Sequence, residues 1–248
     1  MTKEWSHEES YKYKGIPGII HRSRLQKILD VFEKVKIGPA GKLADFGCSN
    51  GYIIALLKEK FFNGGNWNFY GFDHSEPLLV QAREKNLKNC EFHRLELNSI
   101  NDNHWDGAFD IVTCFETLEH VGNYHNALVN LHKFCKPGGK IIFSIPNEKD
   151  VPGLIKYFGR KILRRDAYKD FFNEQNEIRY VWHLLFNKPL GEFRKKNLPG
   201  WGEHLGFDWK LFEQFINNDF INVGKCRILF RESSFIKFNL IYMLEKLR

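Results

Sequence analysis

KLADFGCSNGYIIALL, residues 42–57, indicates the architecture of this chain more strongly than any other stretch. An apolar run ending in Asp45-Phe46-Gly47 predicts a buried strand, and residues 50–57 predict a helix after a short turn that contains glycine. In an open α/β sheet such a turn lies at the carboxyl edge of the strands, where backbone N–H groups and the positive helix end face a ligand. The stretch therefore predicts a ligand-binding turn.

The spacing of the glycines argues against a pyrophosphate as the ligand. Gly47 and Gly51 flank Ser49, whereas a dinucleotide-binding turn has the pattern G-x-G-x-x-G. Asp45 at the strand end suits a ligand that carries an ammonium group, or water held by one. The glycines let a ribose and an amino-acid group lie against the backbone. Taken alone, the stretch also fits an ordinary strand-to-helix turn.

Further segments with strand character end in polar residues. Asn66–Asp73 (NWNFYGFD) ends in an acid, at the distance where α/β nucleoside-binding proteins place a carboxylate for the ribose hydroxyls. Residues 109–115 (FDIVTCF) form another predicted strand, which Glu116-Thr117-Leu118-Glu119-His120 follows. A turn through Pro137-Gly138-Gly139 leads into the predicted strand 141–145. The strands thus bring carboxylates and a histidine to one edge of the sheet.

In this order, the segments resemble those of the class I S-adenosylmethionine-dependent methyltransferases. The resemblance covers about residues 42–147 and rests on DFGCSNG, GFDHS, FDIVTCFETLEHV and LHKFCKPGGKIIFSIPN. It is strongest to small-molecule O-methyltransferases of ubiquinone and polysaccharide biosynthesis. It implies a Rossmann-like α/β fold, with a seven-stranded sheet, helices on both faces, and an inserted helical lid after the fifth strand. Ser49 replaces the middle glycine of the family's D-x-G-x-G-x-G, but serine can add a hydrogen bond, so we expect cofactor binding to survive.

The resemblance implies S-adenosylmethionine as the cofactor and assigns its binding residues. The turn after the first strand surrounds the methionine and ribose portions, Asp73 holds the ribose, and His74 packs near the adenine. Glu96 and Leu97 fall where the family has an acid and an apolar neighbour of the adenine. The implied cofactor-binding residues are Asp45, Gly47, Cys48, Ser49, Gly51, Tyr52, Asp73, His74, Glu96, Leu97, Phe115 and Glu116.

Methyl transfer from a sulfonium is an in-line displacement, so holding the acceptor atom about 3 Å from the methyl carbon supplies much of the catalysis. An oxygen acceptor also benefits from a base. His120 has a suitable pKa range and, with Glu116 and Glu119, follows the fourth strand at the carboxyl edge. These three are the first catalytic candidates, and His204 is the second.

The pattern Glu116-x-x-Glu119-His120 also resembles one in ubiquinone-biosynthesis O-methyltransferases and small-RNA 2′-O-methyltransferases, where it can hold a divalent ion. Two carboxylates and a histidine would suit Mg²⁺ or a similar ion, with His125 or His204 as a further ligand. Structural hydrogen bonds by the same side chains are the favoured alternative. A metal is therefore possible but not expected.

Length and composition set wider bounds. We expect one methyltransferase domain over the 248 residues, with an N-terminal arm and helix (1–41), a cofactor-binding core (42–149), an insertion or lid (150–205), and a C-terminal helix with closing strands (206–248). The hydrophobic fraction of 43% indicates a globular chain. The net charge of +7 permits an anionic partner but does not choose among nucleic acid, phospholipid and phosphorylated small molecules.

The cysteine pattern and hydropathy favour the cytoplasm. Five cysteines occur without a C-x-x-C pair, which argues against a disulfide framework. No run approaches the roughly 18 apolar residues of a transmembrane helix, and the start of the sequence has no apolar signal region. We expect a cytoplasmic protein and make no prediction of its oligomeric state.

The segments outside the core give weaker predictions. We expect a loose arm over residues 1–20, then a helix over residues 21–35 that begins with Arg22 and Arg24. A basic residue here can meet the cofactor's carboxylate in related methyltransferases, but solvated surface charges are an equal alternative. Beyond residue 205, we expect a helix over 206–217 and strands over 220–230 and 238–247 that close the sheet as an antiparallel pair.

Residues 150–202 break the alternation of strands and helices. The stretch 153–165, GLIKYFGRKILRR, places Leu154, Phe158 and Ile162 on one helical face, with basic residues around the rest. A lid over the active site is the favoured interpretation. Peripheral contact with an anionic membrane and plain packing are the alternatives.

The sequence therefore predicts a methyltransferase that modifies a hydroxyl of a small molecule, such as a sugar or glycan-biosynthesis intermediate. An RNA 2′-O-methyltransferase, a membrane-associated quinone-type O-methyltransferase and a non-enzymatic interaction module are the alternatives. The charge and the E-x-x-E-H pattern favour RNA, but no RNA-binding module is recognisable, so nucleic acid is the less favoured partner.

Overall fold

A single mixed sheet organises the described part of the molecule. The structure is a computed structural model that describes residues 6–98, 104–163, 174–193, 206–233 and 238–248. Its seven strands lie in the order β3-β2-β1-β4-β5-β7-β6. They are β1 (Ala40–Phe46), β2 (Asn66–Asp73), β3 (Cys90–Arg94), β4 (Phe109–Phe115), β5 (Cys135–Pro146), β6 (Cys226–Ser233) and β7 (Asn239–Lys246).

The strand order contains one reversal that fixes where a ligand can bind. β1 pairs in parallel with both β2 and β4, so the chain winds outward in opposite directions from β1. β3 and β5 extend the parallel part, whereas β7 pairs antiparallel with β5 and β6. Ligands of open α/β sheets bind at the carboxyl ends of the strands at such a switch point.

Helices cover both faces of the sheet. The described residues form eight α-helices: α1 (His7–Tyr11), α2 (Gly15–Glu33), α3 (Tyr52–Phe61), α4 (Glu76–Glu84), α5 (Tyr124–Phe134), α6 (Asp150–Leu163), α7 (Glu174–Leu185) and α8 (Trp209–Ile216). Side chains of α2, α3 and α4 share one buried cluster with the sheet, and those of α5 and α8 share the other. The expected seven-stranded α/β sheet with helices on both faces is therefore confirmed.

Local sequence signals explain where several helices begin. Ser75 accepts a hydrogen bond from the backbone N of Leu78 and caps α4, and Asn123 caps α5 in the same way. The stacked rings of Phe46 and Phe72, with centroids 4.7 Å apart, join β1 to β2 within the cluster under α5. None of the described helices combines the length and apolar character needed to cross a bilayer.

The loose arm expected over residues 1–20 is wrong for the part that the structure describes. α1 occupies residues 7–11, and α2 begins at Gly15 rather than at residue 21. The Tyr11 ring is buried and stacks on Tyr52 of α3 with centroids 5.5 Å apart. The aromatic residues of the segment thus fix it against the core.

The strand expected over residues 220–230 also begins later than predicted. The chain continues from α8 through a π-helical turn, Asn217–Ile221, and β6 begins only at Cys226. Phe220 is buried in this turn, where its ring lies 5.4 Å from that of His132 on α5. Its apolar character therefore reflects packing against a helix rather than a place in the sheet.

Candidate active site

The turn between β1 and α3 has the left-handed backbone that its glycines predict. Gly47, Ser49 and Gly51 have φ angles of +77°, +52° and +72°. A Cβ on Gly47 would lie 2.0 Å from the hydroxyl oxygen of Thr117, so glycine lets the segment after β4 approach the turn. Ser49 takes its left-handed conformation at a cost of about 1 kcal/mol relative to glycine.

Asp73 is the last residue of β2, and hydrogen bonds hold its carboxylate in one orientation. It accepts hydrogen bonds from the backbone N of Ser49 at 2.7 Å and of Ser75 at 2.9 Å. His74 Nδ1 lies 3.2 Å from the same carboxylate. Burial acts to raise the pKa of Asp73, but these contacts outweigh it and lower the pKa. Asp73 is therefore an anion with fixed orientation at the switch point.

Asp45 lies nearby and has the opposite electrostatic character. It is buried at the end of β1 and accepts a hydrogen bond from Thr113 Oγ1 at 2.7 Å. Burial, together with the charge of Asp73, raises its pKa to about 7, although the Thr113 hydrogen bond opposes this shift. A ligand cation placed beside Asp45 would favour loss of this proton.

A cavity at the carboxyl edge joins five of the predicted cofactor-binding residues to five others. Its lining residues are Phe46, Gly47, Phe72, Asp73, His74, Leu95, Glu96, Leu97, Thr117 and Val121. Asp73 supplies a hydrogen-bond acceptor for a ribose, and Leu97 and Val121 supply apolar surface for a base. The acceptor and the apolar groups of the cavity therefore fit the nucleoside part of the expected cofactor.

Sequence reasoning missed the other five lining residues, although each of them neighbours a motif. Leu95 immediately precedes the predicted pair Glu96-Leu97, and Val121 immediately follows His120. Phe46, Phe72 and Thr117 lie within the quoted motifs themselves. The motifs thus indicate where the cavity lies, but only the structure shows that these neighbouring residues line it.

Other predicted cofactor-binding residues lie beside this cavity rather than in its lining. The side chains of Cys48 and Phe115 are buried in the hydrophobic cluster under α2, so contact with a cofactor would come from their backbone atoms. Gly51 packs against the Phe92 ring, and Tyr52 stacks on Tyr11. Gly51 and Tyr52 thus connect the turn to β3 and to α1.

Glu116 is held by hydrogen bonds from three separate elements. Ser144 Oγ donates to its carboxylate at 2.7 Å, and Asn239 Nδ2 donates to both carboxylate oxygens at 2.9 and 3.0 Å. Arg24 Nη1 donates at 2.6 Å. Glu116 itself has a left-handed φ of +50°, a strained conformation for a long side chain. The network therefore fixes the first acid of the E-x-x-E-H pattern.

The solvated state considered for the two arginines of α2 is wrong for Arg24, which is buried, whereas Arg22 is exposed. The Arg24 and Glu116 side chains form an ion pair in which each is 8% exposed. Arg22 donates hydrogen bonds to the backbone oxygens of Tyr11 and Tyr13 and so ties α1 to α2. Sequence reasoning missed the pairing of Arg24 with Glu116, because the two residues are 92 positions apart.

Glu119 and His120 differ sharply in exposure. Glu119 is completely buried, and burial, followed by the nearby Glu116 carboxyl group, raises its pKa well above the usual range. Both effects disfavour the anionic form that a general base needs. His120 is only half-buried, and its backbone N donates to the Thr117 oxygen at 2.9 Å. Of the two, His120 has the exposure that a general base needs.

The remaining histidine candidates do not complete a metal site in the described structure. Among the described residues, no three His, Cys, Asp or Glu side chains lie close enough together to hold a metal ion. His125 is exposed on α5, where its ring lies 4.0 Å from that of Phe215. His204 lies outside the described residues, so its proposed roles stay predictions.

Two elements border the site from outside the sheet. Glu8 of α1 accepts hydrogen bonds from Asn50 at 2.9 Å and from Lys85 at 3.1 Å, which holds α1 against the glycine turn. On the other side, the buried Lys149 and Asp208 form an ion pair at 2.8 Å, just before α6 begins. The ion pair joins the segment that follows β5 to the N-terminal end of α8.

Glu148 makes a second set of ion pairs beside that segment. Its buried carboxylate accepts hydrogen bonds from Lys156 at 3.2 Å and from Arg160 at 3.0 and 3.1 Å. Lys156 also donates to the backbone oxygen of Phe238, just before β7. These bonds fix α6 at the carboxyl edge of the sheet.

Comparison with known proteins relates this site to one enzyme family. A family model described as a methyltransferase domain matches residues 44–141. The ubiquinone biosynthesis O-methyltransferase of Rickettsia typhi is 26% identical over 200 residues, covering 73% of this chain and 79% of that protein. The enzyme of the same name from Pseudomonas aeruginosa is 30% identical over 132 residues, covering 52% and 54%.

A solved structure extends the similarity over the whole fold. A crystal structure described as a SAM-dependent methyltransferase from Aquifex aeolicus covers 98% of this chain and 100% of its own, with a TM-score of 0.54 and 16% identity. At this identity the similarity concerns the fold alone. The sequence matches and the fold thus agree on the region that carries the cavity.

Proposed function

Since this chain is a class I S-adenosylmethionine-dependent methyltransferase, we propose that it transfers a methyl group to a hydroxyl group of a small molecule. The similarity to enzymes named as O-methyltransferases supports oxygen as the acceptor atom. We further propose that the acceptor is a sugar or a glycan-biosynthesis intermediate. This choice rests on the resemblance of the sequence motifs to those of polysaccharide-biosynthesis methyltransferases.

The position of His120 carries the proposal. Thr117 and Val121, which flank the segment with His120, both line the cofactor cavity, so the half-buried imidazole lies next to that cavity. Histidine is the side chain most often used as a general base in enzymes. We assign His120 the role of the base that removes the proton of the acceptor hydroxyl. Glu116, which its hydrogen bonds hold in place, is assigned a structural role beside it.

The cofactor, when bound, supplies a methyl group on a sulfonium as the electrophile. The chain's own groups bind and orient it: Asp73 for the ribose hydroxyls, Leu97 and Val121 for the base, and Asp45 near the ammonium group. Orientation is the main contribution because displacement at carbon needs alignment of the two reacting atoms.

The first experiment is calorimetric titration of S-adenosylmethionine and S-adenosylhomocysteine into the wild type and Asp73→Ala. We expect binding to the wild type and at least about tenfold weaker binding to the variant, which loses a charged acceptor. Asp219→Ala, at an exposed acid of the π-helical turn, is the matched control and should bind like the wild type. Equal binding by Asp73→Ala would contradict the assigned ribose site.

Methyl transfer is then measured with radiolabelled cofactor and a panel of acceptors, with and without Mg²⁺. The panel holds nucleotide sugars and free sugars, and also catechol-type phenols, because the curated relatives are named for ubiquinone biosynthesis. His120→Ala should lower kcat by about 10²-fold or more, while cofactor affinity is retained. His125→Ala, at an exposed histidine on α5, is the control. Methylation of an amine or a carbon in place of a hydroxyl would overturn the proposal.

A further inference from the structure

Thr113 on β4 makes two contacts with β1 that a single hydroxyl hydrogen cannot serve at once. Its Oγ1 lies 2.7 Å from Asp45 Oδ1 and 3.2 Å from the backbone oxygen of Ala44. The Ala44 oxygen can only accept a hydrogen bond, and a hydroxyl group has one hydrogen to donate. Both contacts are therefore hydrogen bonds only when Asp45 supplies the second hydrogen.

The protonated form of Asp45 has that hydrogen. A neutral carboxyl group can donate its O–H to Thr113 Oγ1, and Thr113 can then donate to Ala44. In the anionic form, Thr113 must turn its hydrogen towards Asp45, and the contact with Ala44 is no longer a hydrogen bond. Thr113 thus accommodates both protonation states of a carboxyl group that belongs to a residue only 2% exposed.

The groups around Asp45 favour its neutral form. Asp73 is an anion at the end of β2, where His74 contacts its carboxylate. Burial raises the pKa of the Cys48 thiol in the glycine turn and of the Cys114 thiol on β4 well above the usual range, so both are neutral thiols. Among the described residues, Asp73 is the one whose charge shifts the pKa of Asp45, and it raises that pKa. The described surroundings of Asp45 therefore contain an anion and neutral groups.

A bound cofactor would bring the cation that these surroundings lack. The methionine portion of S-adenosylmethionine carries an ammonium group, and the glycine turn that follows Asp45 is the predicted site of this portion. A cation close to a buried acid favours the anionic form of the acid. The anion then accepts the Thr113 hydrogen, and the carboxyl proton has to leave.

We propose that binding of the cofactor releases one proton from Asp45, and that Thr113 is the positioning residue for this exchange. The O–H bond of the carboxyl group breaks, its electron pair stays on the carboxylate, and the proton passes to water. The inference rests on the proposed function, because it takes over the cofactor of that function. It adds a dependence on pH: below the pKa of about 7 that Asp45 has without ligand, affinity should fall by about tenfold for each pH unit.

The test is calorimetric titration of S-adenosylhomocysteine into the full chain at about pH 6, in buffers that differ in ionisation enthalpy. At this pH the amino group of the ligand is already protonated, because α-amino groups titrate near pH 8. The dependence of the measured heat on the buffer gives the number of protons released. We expect about one proton for the wild type, and much less for an analogue of the ligand that lacks the amino group.

Two variants assign the released proton. Asp45→Asn should bind the ligand without releasing a proton, and its affinity should lose the pH dependence between about pH 5.5 and 7.5. Thr113→Val removes a hydrogen bond that favours the anion, so the midpoint of the pH dependence should rise by about one unit. A purely structural role of Thr113 would lower affinity equally at every pH. Thr113→Ser keeps the hydroxyl group and is the matched control, with the midpoint of the wild type.

Three results would overturn the inference. The first is binding by the wild type without proton release, which would remove the coupling and leave the cofactor site in place. The second is proton release that persists in Asp45→Asn, because the proton would then come from another group such as His74. The third is an unchanged midpoint in Thr113→Val that melts like the wild type without ligand. Absence of binding at every pH would contradict the cofactor site itself, and the inference with it.

Discussion

Asp45 shows how one buried residue makes the stability of the protein depend on pH. Its folded-state pKa of about 7 lies above the ordinary value of 3.8, chiefly because the carboxyl group is buried. When an acid has a higher pKa in the folded state than in the unfolded state, its contribution to stability is complete below the unfolded-state pKa. That contribution is lost as the pH rises towards the folded-state pKa. The folded protein should therefore lose stability from this group between about pH 4 and about pH 7.

Asp45→Asn removes this pH dependence. Relative to the wild type, the variant should gain up to about 4 kcal/mol of unfolding free energy between about pH 4 and pH 8, since each pKa unit is worth about 1.4 kcal/mol. Urea unfolding at several pH values measures it. Asp219→Asn, at an exposed acid, is the control and should follow the wild-type curve. Parallel curves for the wild type and Asp45→Asn would contradict the raised pKa.

The ion pair of Arg24 with Glu116 gives a second prediction at the same scale. Glu116→Gln leaves the buried guanidinium without its anion and should destabilise the protein by about 3 kcal/mol, because an uncompensated buried charge is costly. Arg24→Met combined with Glu116→Gln should be more stable than the sum of the single changes. Urea unfolding of the four proteins gives the coupling energy, and additive effects would show that the two side chains do not interact.

Some residues of the candidate site can be predicted from the sequence, and others cannot. Asp73, Glu96 and Leu97 are predicted from motifs and line one cavity, because each lies at the carboxyl end of a strand or just beyond it. Asn239 was not anticipated, since it contacts Glu116 across 123 positions of sequence. The burial that raises the pKa of Glu119 comes from packing by other elements, which its own motif does not contain.

At the scale of elements, a helix is easiest to predict when its signals lie within its own sequence. α4 and α5 have such signals, because each has a capping side chain and buried apolar residues at helical spacing. α1 has only five residues, too few to be stable alone, and it forms because Glu8 and Tyr11 meet partners on α3, α4 and the glycine turn. Such tertiary contacts leave little trace in a local pattern.

α1 should therefore act as a cover for the glycine turn. Tyr11→Ala removes the ring that stacks on Tyr52 and lies over Arg24, and it should speed cofactor dissociation by about tenfold as α1 detaches. Stopped-flow displacement of a bound cofactor analogue measures the rate. Tyr13→Ala, a neighbouring exposed tyrosine, is the matched control. An unchanged rate in Tyr11→Ala would show that α1 does not restrict the site.

For the whole molecule, the order of motifs was enough to predict the sheet. Each motif lies at the end of a strand, and the alternation with helices fixes parallel neighbours up to β5. The closing antiparallel strands were also expected, although the start of β6 was not. The proposed division of residues 1–248 into an arm, a core, a lid and a closing unit stays a prediction. The fold was thus more predictable than the contacts between distant segments.

Ligand binding at the switch point should stabilise the sheet as a whole. The cavity residues come from β1, β2 and the segments after β3 and β4, so a ligand there holds both halves together. At a concentration of about 100 times its Kd, S-adenosylhomocysteine should add about 2.7 kcal/mol to the free energy of unfolding. Calorimetric melting tests this, and Asp73→Ala at the same ligand concentration should show a much smaller rise in Tm.

The place of β7 has a consequence for synthesis on the ribosome. Among the described strands β7 is the last in sequence, yet it lies between β5 and β6 and supplies Asn239 to Glu116. At about 5 to 20 residues per second, translation takes roughly 6 to 25 s to cover the 123 positions that separate them. Throughout this interval the nascent chain has the glycine turn but lacks the final partner of Glu116, so the two halves of the site mature at different times.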